Sequence, residues 1–132
     1  MNGQSRKTAI PFHSLDFDEG WEQLLGGPPG LELKLLSDAF DERGKTGVRT
    51  RLIRFRPGTV TTGIAMHDYW EEACLIEGAL TVDCGPTGAG GTTFTAPGYV
   101  CRPPGTPHGP FASPGGCVLL ETHYYLGCAG TK

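Results

Sequence analysis

Two stretches decide how this chain of 132 residues is read. The first is Gly63-Ile-Ala-Met-His67-Asp-Tyr-Trp-Glu71-Glu72-Ala-Cys-Leu-Ile-Glu-Gly78, and the second is Gly98-Tyr-Val-Cys-Arg-Pro103-Pro104-Gly105-Thr-Pro107-His108-Gly-Pro-Phe111. In the first, His67 and Glu71 are four residues apart. On a strand an even separation turns both side chains to one face, and Ala65 and Tyr69 would share it. Glu72, next to Glu71, would then point to solvent. In the second, prolines and a glycine form a stiff bend that ends a strand and delivers His108 to a fixed place. Three side chains with metal-ligand chemistry thus come from two segments about 30 residues apart.

The rest of the chain suits a fold made of strands and bends. Glycine contributes 21 residues and proline 11, roughly a quarter of the chain, against an ordinary share near 12%. There is no three-residue glycine period, which excludes collagen. Interior Gly and Pro cost a helix about 1 and about 3 kcal/mol each, which argues against a helical bundle. With 38% hydrophobic and 19% charged residues and a net charge of -3, the composition is not that of a disordered chain. Turn signals recur every 8–12 residues, as in a sandwich or small barrel. Strands are expected at 31–35, 48–56, 59–66, 71–82, 92–95, 99–102 and 117–125. Residues 1–30 are expected to form an N-terminal arm anchored by Trp21, and 31–132 a single domain.

Several partners and compartments are disfavoured. The chain has no basic excess, and Arg49, Arg51, Arg54 and Arg56 alternate with apolar residues as strand decoration, so nucleic acid is not an expected partner. No apolar run approaches 18 residues, and the N-terminus shows no signal-peptide core. The five cysteines are scattered and lack a C-x-x-C, which suits reduced thiols in the cytoplasm.

The two stretches resemble the paired motifs of the cupin superfamily. The usual first motif is G-x5-H-x-H-x3/4-E-x6-G. His67, Glu71 and Gly78 match its second histidine, glutamate and closing glycine. Ala65 stands where the first histidine of the pair belongs, and Gly58 lies one residue too far out. The second motif is G-x5-P-x-G-x2-H-x3-N. Pro103 to His108 match its core, Gly98 is one residue too close, and Ala112 replaces the asparagine. The likeness spans about residues 45–125, and the run from Gly98 through Cys117 to Glu121 is further similar to small single-domain cupins of the ChrR-like group. The resemblance implies an all-β double-stranded β-helix, a jelly-roll barrel, holding one divalent metal ion and working as a homodimer.

With Ala65 in the first slot, the implied ligands are His67, Glu71 and His108. Two imidazoles and one carboxylate with open positions suit non-haem Fe(II), with Mn, Ni or Zn as alternatives. Open positions admit a substrate or O2. The leading expectation is an Fe(II) dioxygenase acting on a small oxygenated molecule such as a diketone or hydroxy-ketone. A redox-neutral isomerase, cyclase or lyase is the second, with Tyr69 or His123 as general acid or base. A module that binds a small molecule without turning it over is the third. His123 shares a strand face with Cys117, Leu119, Glu121 and Tyr125, which leaves open a fourth ligand, a pocket base or an interface residue. Arg51, in step with Ile53 and Phe55, is a candidate to grip a substrate carboxylate.

Overall fold

The computed structural model describes residues 7–127, and Cys128 lies outside them. Among the described residues nine strands, all paired antiparallel, make up the regular structure: β1 (Glu22–Gln23), β2 (Leu31–Asp41), β3 (Thr46–Phe55), β4 (Thr59–Val60), β5 (Trp70–Val82), β6 (Thr92–Thr95), β7 (Gly98–Arg102), β8 (Phe111–Ser113) and β9 (Cys117–Tyr124). No helix among the described residues is long and apolar enough to cross a membrane. The strand order is β1-β2-β3-β9-β5-β8-β4, with β6 and β7 also paired to β5. The sheet curls into the all-β jelly-roll barrel expected from the sequence.

β5 is the hinge of this arrangement. Its first half pairs with β7 and β9, and its second half pairs with β6 and β8. The change of sheet falls at Gly78, next to a register shift between Leu75 and Glu77. Gly78 has φ of 83°, and a Cβ there would stand 2.2 Å from the Gly116 carbonyl oxygen. Only glycine combines that backbone with that closeness. In the first half of β5 alternate residues are buried, Glu71, Ala73 and Leu75 turning inward. That is the period of two read from the sequence.

The core sits between the two halves of the barrel, where Ile53, Phe55, Leu75, Leu80 and Leu119 meet. Register stacks the inner face in rows. Ile53, Leu119, Leu75 and Gly98 lie side by side across β3, β9, β5 and β7, an apolar row. The next row is Arg51, Glu121, Ala73 and Val100. The row beyond it is Arg49, His123, Glu71 and Arg102. Each step of two residues along the strands moves from apolar to charged. The barrel therefore has an apolar floor and a charged end.

Three local expectations change. Thr59–Met66 was expected to be one strand, but only Thr59–Val60 forms one, paired with β8, which the sequence did not announce. The strand stops at Val60, Gly63 takes φ 80°, and Ala65 returns only as an isolated bridge to His108. The strand expected at 31–35 runs on to Asp41, carried past Leu35 by a β-bulge. Within the segment expected to be an arm, the part from Glu22 on pairs with the barrel. β1 pairs with β2, and Leu24 packs against the core. The turn between them is closed by Leu24 N–H donating to Leu31 O at 2.9 Å. Residues 26–30, with their Gly-Pro run, let the chain fold back at that turn, and Gly26, Gly27 and Pro28 line the cavity described below.

Candidate metal centre

His67, Glu71 and His108 converge. One ligand atom from each lies within 4.8 Å of the others. Glu71 comes from β5, as the parity argument requires. His67 does not sit on a strand, so parity does not explain its position. It is placed by backbone bonds between two loops. Ala65 and His108 form an isolated antiparallel bridge, with N···O distances of 2.8 and 2.9 Å, and Gly105 N–H donates to His67 O at 2.8 Å. Ala65, the residue in the vacant histidine slot, thus holds His108 through its backbone.

Hydrogen bonds set the protonation of each donor. His108 Nδ1 lies 3.0 Å from the Thr106 carbonyl oxygen. A carbonyl only accepts, so Nδ1 carries a proton, and Nε2 faces Glu71 Oε1 at 3.5 Å. An imidazole oriented through its far nitrogen is how metal-binding histidines are commonly fixed. Burial lowers the pKa of His67, and the charges of His108 and His123 add to this while Glu71 opposes it. Its ring is therefore held neutral, as a ligand must be. Burial pushes Glu71 up, but the His123 hydrogen bond and the charges of His123, His108 and Arg102 outweigh it and bring its carboxyl down to about 2. Two imidazoles and an ionised carboxylate around one point fit a divalent metal ion.

The flanking charges are ordered by register. Arg102 Nη1 donates to Glu71 Oε1 at 3.0 Å, and His123 Nε2 lies 2.8 Å from Glu71 Oε2. Arg49 Nη2 is 2.7 Å and its Nε 3.2 Å from His123 Nδ1. Burial disfavours the His123 cation, yet hydrogen bonds and charge from Glu121 and Glu71 raise its pKa. The Arg49 donors, in contrast, need an unprotonated Nδ1. In either state Nε2 bears a proton and donates to Glu71. His123, fully buried, therefore acts as a donor to the carboxylate, and its Nε2 has no lone pair for a metal. Glu71, Glu121 and His123 also lie close enough together to hold an ion, but these atoms are already engaged with one another and with Arg49 and Arg51.

The other expected site residues fall at different depths. Arg51 lines the cavity, but its Nε donates to Glu121 at 3.0 Å, so it is anchored on its own sheet. Tyr69 stacks flat on His67, rings 4.6 Å apart and 4° from parallel, and meets Phe40 edge-on. Burial lifts its hydroxyl to about 12. Neither Tyr69 nor His123 is among the residues that line the cavity. Glu72 faces outward and accepts from the Tyr99 and Tyr124 hydroxyls. The sequence reading missed Arg49, Arg102 and Glu121. Their signal was present as charge at alternate positions of strands already recognised, but cross-strand partners cannot be paired without the register.

A cavity of about 610 Å3 opens from this cluster into the barrel. Its polar end holds His67, Glu71, His108, Arg51, Arg102 and Glu121, and its walls continue over the apolar floor.

No family model and no curated protein sequence matches the chain. Solved structures do. An RmlC-like cupin from Shewanella frigidimarina is 20% identical, with a TM-score of 0.62 over 94% of this chain and 97% of that one. An acetylacetone dioxygenase from Acinetobacter johnsonii is 19% identical, with a TM-score of 0.64 over 98% and 87%. KdgF from a Halomonas species is 14% identical, with a TM-score of 0.63 over 92% and 99%. The strand order, the two motif segments at one end of the barrel and these likenesses agree, and the chain has the fold of a small single-domain cupin.

Proposed function

We propose that the chain is a metal-dependent enzyme, a dioxygenase that uses Fe(II) held by His67, Glu71 and His108 to act on a small oxygenated organic substrate. The observation that carries this reading is the convergence of two imidazoles and one ionised carboxylate at the wall of a cavity that runs into the barrel. The resemblance of the fold to an acetylacetone dioxygenase supports it. The metal would supply Lewis acidity and, as Fe(II), electrons for O2 chemistry. The protein's own part is positioning. Arg102 and His123 hold the two oxygens of Glu71, Thr106 fixes the His108 tautomer, and Tyr69 backs the His67 ring. Tyr69 and His123, standing behind the cavity wall, serve as positioning residues rather than as acid or base.

The test begins with protein stripped by chelator and offered Fe(II), Mn(II), Ni(II) and Zn(II) in turn, with bound metal measured by elemental analysis. One ion per chain is expected, lost in His108→Ala. Iron-loaded protein is then expected to consume O2 with a panel of diketones and hydroxy-ketones. Protein that retains none of the four metals would overturn the metal site. Turnover with Zn(II) in the absence of O2 would replace the dioxygenase by a redox-neutral reaction.

A further inference from the structure

The shape and lining of the cavity say more about the substrate than its metal chemistry does. Its polar end is charged. Two guanidinium groups, Arg51 and Arg102, are each bonded to a carboxylate, Glu121 and Glu71. Arg51 and Arg102 reach the cavity itself. Each has one N–H committed to a carboxylate and keeps further donors on the same planar fork. A divalent ion at the histidine–glutamate cluster would add positive charge, so this end favours an anion with two oxygen acceptors.

The remainder of the cavity is of opposite character. Ile53, Phe55, Leu75, Leu80, Phe111 and Leu119 form its deeper wall. Apolar side chains also stand at its edge where solvent reaches them, among them Leu25, Ile64 and Phe94, all exposed. At about 610 Å3 the space is within the range that encloses a drug-sized molecule, and larger than a short diketone fills. A substrate that was polar throughout would leave this wall in water.

We propose that the natural substrate is an amphipathic carboxylate, its head at Arg51 and Arg102 beside the metal cluster and an apolar body several carbons long over the Ile53–Leu75–Leu119 floor. This rests on the cavity being the substrate site of the centre proposed above. It narrows the substrate class beyond small oxygenated molecules.

A homologous series reads the proposal directly. Straight-chain carboxylates from butanoate to dodecanoate, and the matching 1-alkanols, are titrated calorimetrically into metal-free and zinc-loaded protein. Each added methylene is expected to tighten binding about three- to four-fold until the cavity fills, after which affinity levels off. Carboxylates are expected to bind about tenfold or more tightly than alcohols of equal length, and Arg51→Met to remove most of that preference while keeping the chain-length slope. Should R51M not fold, the comparison of acids with alcohols on the parent protein carries the same information. A flat chain-length dependence, or equal affinity for acid and alcohol, overturns the proposal. The failures separate: metal uptake without a chain-length slope sinks this inference alone. A slope and an acid preference in a protein that takes no metal sink the metal reading and uphold the ligand class.

Discussion

Replacing Glu71 by Gln tests the charged row at its centre. The substitution keeps the size of the side chain, so no cavity is opened. It changes what the two terminal atoms can do. Glu71 accepts from Arg102 at one oxygen and from His123 Nε2–H at the other. A glutamine has one acceptor oxygen, so its NH2 must face a donor whichever way the amide turns. His123 cannot relieve the conflict by moving its proton, because Arg49 donates to Nδ1. The variant loses one charge-assisted hydrogen bond, about 1.5–3 kcal/mol. It also strips a buried ion pair of one partner, which typically destabilises by about 3–5 kcal/mol in all. With an unfolding entropy of about 2.1 cal/mol/K per residue, this domain shifts by roughly 3–4 °C per kcal/mol. E71Q is therefore expected to melt about 10–20 °C below the parent. The measurement is thermal and urea unfolding followed by circular dichroism, in chelator, so that loss of a metal ligand plays no part. Glu72→Gln, one residue along on the outer face, is the control and is expected within about 1 kcal/mol of the parent. An E71Q protein that melts within about 3 °C of the parent, or together with E72Q, would show that the row does not carry the stability assigned to it.

Three further outcomes are expected. Ala65→His adds an imidazole beside His108 in the vacant motif slot, and should tighten zinc binding about tenfold or more in competition with a chelator; unchanged affinity would mean that Ala65 does not face the cluster. Gly78→Ala should lose more than about 2 kcal/mol or fail to fold, because a Cβ meets the Gly116 carbonyl, whereas Gly63→Ala, with the same sign of φ and open space around it, should lose only about 1 kcal/mol; equal losses by urea unfolding would refute the clash. Glu32 is raised by burial but lowered more by Arg54 and Arg56, so its pKa in the folded protein lies below the ordinary carboxylate value. Its ion pairs add stability that is present above the unfolded pKa and lost as pH falls through the lower folded value. Glu32→Gln is expected to lower stability by about 1 kcal/mol at pH 7 and by little once both pKa values are passed, and a pH-independent difference would contradict this.

The fold was legible because its punctuation is chemical. Gly78, the Pro103–His108 bend and the alternation of Glu71, Ala73 and Leu75 each have a local physical cause that a sequence displays. Glu71 and His108 were legible for the same reason. His67 was named for a parity that does not apply, since it sits in a loop whose position depends on backbone bonds from Ala65 and Gly105. Arg49, Arg102 and Glu121 were not singled out as site residues. What makes them part of the site is which residue lies opposite on the next strand, and that depends on register over separations no local pattern encodes. The pairing of Glu22–Gln23 was not read for a related reason: a two-residue strand and its tight turn are stable only against β2.

The row Arg49–His123–Glu71–Arg102 also ties the assembly of the site to the order of folding. Its links join residues 74, 52 and 31 positions apart in the chain. Strands β3, β9, β5 and β7 must all be docked in register before the Glu71 carboxylate is held at both oxygens. Loop closure over such separations is slow compared with hairpin formation. No partly folded form, and no nascent chain lacking β9, can present the finished cluster. The amides beside these four residues should accordingly exchange with solvent only through opening of the whole barrel. A half-made protein would lack the bonds that hold the Glu71 carboxylate in place.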